Sequence, residues 1–383
     1  MKLWRLVIDN SLLLVIGAVS ALVWANIDLH SYEHYAHAIH FAVNDIGMVF
    51  FFALAAKEVF EATLPGGALA SPRKAATPIL AAIGGMVAPA AIYVAIVTMS
   101  GTPELARGWA IPCATDIAFS YLAVIAVFNR THPAVPFLLL LAIADDAMGL
   151  IVLAVFYPSG AVSAGKLVAW LLPAMAFAEL MRRRKIKPYW PYIFGCGALS
   201  WTGMYLGGLH PALALVPIIP LMPHAKRDLG MFDDREPKQP DTLSRFEHDF
   251  KVPVQIVLFF FGFANAGVPL SAVGTVTWAV LIALVVGKPL GILVATRLGD
   301  ALGFERAPGL DYGAIAVLGV AAGIGFTVAL FFTTAAFAPG AAQDQAKMGA
   351  LLSFVAAPIA ILVGRILRIG AAGQSPQHGE PVL

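Results

Sequence analysis

The sequence predicts an all-α polytopic membrane protein of twelve transmembrane helices. Three observations predict it. The chain is 59% hydrophobic and only 13% charged, with a mean hydropathy of +0.80, against about 45–50% apolar and about 25% charged for a soluble domain. Apolar runs near the length needed to cross about 30 Å of hydrocarbon recur from end to end. The basic residues alternate sides when those runs are taken as spans.

Reading apolar runs between charged or Gly/Pro breaks places the spans at 8–27, 39–57, 75–99, 115–128, 134–156, 163–181, 189–206, 210–222, 253–264, 276–297, 312–334 and 346–368. The fourth, eighth and ninth are short, which suggests breaks, tilts or extended flanks. The first run, from Leu12, lacks a small-residue cleavage site after it and reads as a retained helix rather than a signal peptide. No long polar segment forms a second unit. Residues 1–369 therefore read as a single membrane domain.

The chain holds 25 basic residues. All but Arg107, Lys166, Lys347 and the mid-span Lys288 fall on one side of this arrangement, the side that also holds both termini. That bias predicts cytoplasmic termini. The longest loop, His224 to Val252, is charged and carries Pro237 and Pro240, and Asp241 to Lys251 is expected to form a short surface helix. The tail 370–383, rich in Gly, Ser and Pro, is expected to be disordered in the cytoplasm. Cys113 and Cys196 both fall in spans, so no disulfide framework is indicated.

Charged groups at bilayer depth are expensive and mark function by default. Asp145 and Asp146 sit together in LLLLAIADDAMGLIVLAVF, Asp116 follows the Pro112 interruption in GWAIPCATDIAF, Lys288 lies in VVGKPLGILV, and Asp45 lies toward the outer part of span two. Adjacent helical residues point about 100° apart, so Asp145 and Asp146 cannot face one partner. A buried carboxylate must protonate, pair with a cation or bind a metal ion. Na⁺ and H⁺ compete for the same oxygens, which is the chemistry of a cation/proton exchanger. In a structural reading one Asp simply pairs with Lys288, and at least one more acid is then left unpaired.

Gly319, Gly323 and Gly325 interrupt span eleven as Pro112 interrupts span four. Free backbone groups at such breaks need protein or water as partners. The two broken spans are each second in a triplet, 3–5 and 10–12, of opposite topology, which is an inverted-repeat pattern. Asp116 and Lys288 could neutralise the half-helix ends.

His30, His34, His37 and His40 recur at three- and four-residue spacing. They fit a metal stripe, but a polar face in an outer loop or interfacial helix is preferred. His210 could titrate near neutral pH. Glu58, Glu61, Glu247, His248 and Asp249 group at the cytoplasmic side, where a solvated charged rim is an equal reading. No phosphate loop, zinc motif or nucleophile elbow occurs. An enzyme, a cofactor and a nucleic-acid partner are not expected, and transport would be driven by gradients across the lipid bilayer.

GWAIPCATDIAF, AIADDAMG, FGFANAGV, GKPLGI and AGIGFTVALFF, in this order, resemble the NhaA-type sodium/proton antiporters from span one to span twelve. This resemblance implies electrogenic exchange of Na⁺, and also Li⁺, for external H⁺ at a bacterial inner membrane. It makes Asp146 the main sodium ligand and Asp145 an alternating partner of Lys288 or a second ligand. It places Thr115 and Asp116 at the broken helix, Asp45 as an outer acid, and Glu58, Glu61, His210 and Glu247 in pH response or the cytoplasmic funnel. Dimeric members carry a β-hairpin between spans one and two. The short Asp28–His40 segment leaves little room for one, so a homodimer is in question. A sodium-coupled symporter of an organic anion and a non-transporting receptor or scaffold are the alternative functions.

Overall fold

A computed structural model describes residues 11–224, 241–304, 306 and 309–369. The expectations for the 370–383 tail and for Pro237 and Pro240 lie outside these residues. Among the described residues the fold is entirely helical.

Helix α1 spans Leu12–Ile27. Helix α2, Leu29–Phe41, runs through a π turn at Ala42–Gly47 into α3, Met48–Thr63. Together they make 35 residues, about 52 Å of helix at 1.5 Å per residue, far more than the bilayer core requires. The helix that carries the second span therefore starts at Leu29, ten residues before the expected boundary, and Leu29–His40 takes the interfacial-helix form of the two forms expected there. The Asp28 carboxylate accepts the Ser31 amide at 3.0 Å and caps that helix.

Helix α4 is Pro72–Met99, followed by a 3₁₀ helix at Pro103–Cys113 and α5 at Ile117–Val127. The last two meet at 58°. The break falls at Ala114–Asp116, beyond Pro112, which sits inside the 3₁₀ segment. Helices α6, Ala134–Phe156, and α7, Ala164–Arg183, follow. A π turn at Tyr192–Gly197 leads into α8, Ala198–Gly207. Gly208, at φ 82°, ends α8 in the left-handed conformation glycine tolerates.

The expected span 210–222 is not an α-helix. It forms 3₁₀ turns, with short helices at Pro211–Leu213 and Ile219–Leu221. Pro211, Pro217 and Pro220 each remove an amide donor and clash with a preceding carbonyl. The segment is nevertheless buried, with Ala212, Ala214 and Ile218 fully covered, and its amides bond three residues back, as in Leu213 N–H to His210 O at 3.1 Å.

Helix α9, Thr242–Asn265, is continuous. The separate surface helix expected at Asp241–Lys251 is its first half, because Pro253 is tolerated inside the helix. Helix α10, Thr275–Ile282, passes through a π turn at Ala283–Gly287 into α11, Lys288–Ala301. Helices α12, Tyr312–Ala322, and α13, Phe326–Ala336, meet at 51°. The break lies at Gly323–Gly325, while Gly319 stays helical against Pro289. Helix α14, Ala341–Leu352, continues through a 3₁₀ turn at Ser353–Val355 into α15, Ala356–Ile366.

Six of these helices, or eight counting each bent pair as one, are long and apolar enough to cross a membrane. Two close pairings organise them. A Cβ on Gly84 would stand 2.2 Å from the Gly291 carbonyl oxygen, and one on Gly291 would stand 2.0 Å from that of Gly84. Helices α4 and α11 thus touch backbone to backbone. Gly17 meets Phe259 and Gly262 meets Leu14 in the same way, joining α1 to α9. Cys113 and Cys196 are free and buried.

Candidate ion-binding site

The two helix breaks lie side by side and are stitched together. Asp116 N–H donates to Ile324 O at 2.7 Å, Thr115 Oγ1 to Ala322 O at 3.2 Å, and Ser120 Oγ to Ala321 O at 2.8 Å. These bonds serve carbonyls at and just beyond the end of α12, where helical partners run out. Asp116 Oδ2 accepts the Thr327 amide at 3.1 Å and also the Thr327 hydroxyl. A carboxylate next to one break thus caps the half-helix that starts at the other, where the dipole favours negative charge.

Lys288 is fully buried at the start of α11. Its ammonium donates to Asp145 Oδ2 at 3.0 Å and to the Cys113 carbonyl. That carbonyl ends the 3₁₀ half of the first broken span, where the dipole favours a cation. Asp145 is 3% exposed. Its Oδ1 is buried with no hydrogen-bond partner among the described residues. Asp146, one residue on, turns away from Lys288 as the helical angle requires. It is half-buried.

Two cavities meet at Asp146. The larger, about 760 Å³, is lined by Asp146, Asp116, Thr115, Thr327 and Glu58 and reaches Ser11 and Arg130. The smaller, about 20 Å³, lies between Asp145, Asp146 and the apolar Phe52, Leu150, Leu153 and Phe332. Aromatic rings close the far side. Phe331 meets Phe52 at 4.9 Å, His210 at 4.7 Å and Phe261 at 6.2 Å between ring centroids, and Phe332 meets Tyr157 at 5.4 Å. A hard monovalent cation takes oxygen ligands, by the same preference as other hard cations. The donor set here, two carboxylates with one orphaned oxygen beside hydroxyl and carbonyl groups, fits such an ion as cargo.

The other candidate residues lie elsewhere. Glu61 and Glu247 both bind Lys57 Nζ at 2.6 Å, while Glu58 lines the large cavity instead. Asp45 is half-buried and its backbone carbonyl accepts Trp201 Nε1 at 2.8 Å. Among the described residues no three His, Cys, Asp or Glu side chains converge on a metal position. Sequence reasoning missed Thr327, although FT directly after GIG places a hydroxyl in the first turn of a half-helix. It also missed the Cys113 carbonyl, a backbone group that no side-chain pattern announces. Lys57 was read only as a charge at a span end, yet it is 6% exposed.

Residues 3–365 match the family described as Na+/H+ antiporter 1. The chain belongs to this family. It is 46% identical to the Na(+)/H(+) antiporter NhaA of Geobacter metallireducens, over 94% of this chain and 97% of that one. It is 47% identical to the protein of the same name in Desulfitobacterium hafniense, over 94% and 95%. In fold it is similar to the sodium proton antiporter MjNhaP1 of Methanocaldococcus jannaschii, with a TM-score of 0.53 at 14% identity, covering 93% of this chain and 91% of that one.

Proposed function

We propose that the chain is a secondary active antiporter that expels Na⁺ in exchange for H⁺ through the Asp145–Asp146 site. The observation that carries this reading is the orphaned Asp145 oxygen beside Asp146, at a small cavity otherwise walled by apolar groups. In such surroundings a carboxylate must take up a proton or a cation. The two ions therefore exclude one another at shared oxygens, and that exclusion couples their fluxes.

In this reading the large cavity faces the cytoplasm, since Arg130 lies on the basic side of the chain. Sodium descends past Glu58, sheds water and is taken by Asp146. Asp145 then leaves Lys288 and adds its oxygens, while Lys288 keeps the Cys113 carbonyl. Asp116 holds the crossing together through Thr327 and does not leave it. The aromatic rings around Phe331 bar the outer route until the protein rearranges. Release outside lets protons return to the same groups. More protons enter than sodium leaves, so exchange moves charge and draws on the membrane potential, at about 2.3 kcal/mol per charge per 100 mV. Li⁺ follows the same route.

The architecture proposed for this cycle is a single domain, residues 1–369, with twelve crossings, both termini cytoplasmic, in a bacterial inner membrane. The triplets 3–5 and 10–12 form inverted repeats around the two breaks. The 210–222 crossing is made by 3₁₀ turns. Glu58 in the large cavity, Glu61 and Glu247, held by Lys57, and His210, packed at a tilt against Phe331, are the groups through which pH would act on the two ends of the path. The α2 helix replaces a hairpin, so any dimer would use another surface.

The test is fluorescence dequenching in vesicles carrying an imposed pH gradient. Added sodium or lithium should collapse the gradient. No response to either ion from neutral to alkaline pH would overturn the reading.

A further inference from the structure

The geometry points to a second, unrelated site: the outer end of α2 binds a borderline divalent transition metal, such as Zn²⁺, Ni²⁺ or Cu²⁺, through His30, His34 and His37 with Glu33. At 100° per residue, His30, Glu33, His34 and His37 fall within an arc of about 100° on one side of the helix. All four are exposed. Two pairs have i,i+4 spacing, His30 with His34 and Glu33 with His37. That spacing lets two side chains grip one metal ion on a helix, as in the H-x-x-x-H pairs of zinc enzymes.

Three features preorganise this face. Asp28 caps the helix through Ser31, so the turn bearing His30 is held. Tyr32 lies on the opposite side and fixes the rotation: its hydroxyl donates to Phe263 O at 2.8 Å and accepts Gly267 N–H at 3.1 Å. Tyr32 and Ala36 are buried, so the histidine face must point outward. Among the described residues His30 and His37 take no hydrogen-bond partner, and His34 only packs its ring edge-on to Tyr35, at 5.5 Å. The rings are therefore free to turn. They do not surround a common point as they stand, and rotation about χ1 and χ2 brings a pair onto one ion. Asp344 and Lys347 of α14 are the charged groups near Glu33. His40 is already engaged with Asn44 at 2.9 Å and is not a ligand.

Imidazole selects Zn²⁺, Ni²⁺ and Cu²⁺ over hard ions. The site shares no residue with the sodium path, so it stands or falls independently of antiport. The experiment is calorimetric titration of the full chain, purified without a polyhistidine tag, with ZnCl₂. Saturable binding of one zinc per chain is expected, undisturbed by excess Mg²⁺. The His30→Ala/His34→Ala/His37→Ala variant should lose the signal while keeping its melting temperature and its sodium response. In the unaltered protein, zinc should protect His30, His34 and His37 from diethyl pyrocarbonate, read by mass spectrometry. Absence of binding, displacement by Mg²⁺, or zinc binding that leaves these histidines as reactive as before would each overturn the proposal.

Discussion

The carboxylate of Asp116 caps a helix that begins more than two hundred residues later, accepting both the amide and the hydroxyl of Thr327. Each broken span leaves polar backbone ends at a depth where water is scarce. This bond, with that of Asp116 N–H to Ile324 O, makes each break the partner of the other. Thr327→Val should leave the amide bond and delete the hydroxyl bond. A hydrogen bond to a charged group is worth about 1.5–3 kcal/mol, so a lower melting temperature and weaker sodium response are expected, with Thr327→Ser close to the parent. Equal behaviour of the Val and Ser variants would show that the hydroxyl is dispensable.

Asp146→Asn should abolish the sodium-evoked response in vesicles while the protein still inserts and purifies. Asparagine keeps the shape but neither binds a proton at neutral pH nor offers a charge to sodium. Normal exchange in this variant would place the ligand elsewhere.

Removing one partner of a buried ion pair strands the other, at a cost of about 3–5 kcal/mol. Lys288→Ala strands Asp145, which is 3% exposed. The expected result is a marked loss of thermal stability and altered proton coupling. Recovery of stability in the Lys288→Ala/Asp145→Ala double variant, measured in the same detergent, would identify the stranded charge as the cause. A stable, fully coupled single variant would refute the pairing.

Competition of Na⁺ and H⁺ for the same oxygens fixes the sign of a pH effect. The sodium concentration giving half the maximal response should rise as pH falls, because protonated carboxylates must first lose their protons. A half-saturation value that does not move with pH would separate the two ions' sites.

Packing offers a paired test. A Cβ at Gly291 would stand 2.0 Å from the Gly84 carbonyl oxygen, whereas one at Gly149 meets nothing within 4 Å. Gly291→Val should prevent normal assembly of α4 on α11, seen as loss of monodisperse protein on size exclusion. Gly149→Ala should be tolerated there. Failure of the Gly149 variant to assemble would show that the open space it borders, in the small cavity beside Asp145 and Asp146, cannot take even a methyl group.

The sequence by itself determined the class of protein, the acids that carry charge into the bilayer and the two broken spans. Composition forces a lipid solvent, and charges at depth stand out against apolar runs. Asp145, Asp146, Asp116 and Lys288 were all legible for that reason, and so were the glycines at 323 and 325. The tertiary structure decided everything that depends on which atoms meet. It set Lys288 against Asp145, a choice that the apolar pattern left open and only the family resemblance had suggested; adjacent residues diverge by about 100° around a helix, so Asp146 faces elsewhere. It gave Asp116 to Thr327, and placed the first break at residues 114–116 rather than at Pro112. It turned the proline-rich 210–222 stretch into 3₁₀ turns and fused the expected surface helix into α9. Local patterns report on the solvent a segment needs. Pairings between residues two hundred positions apart arise only when helices pack, and a one-dimensional pattern holds no record of them.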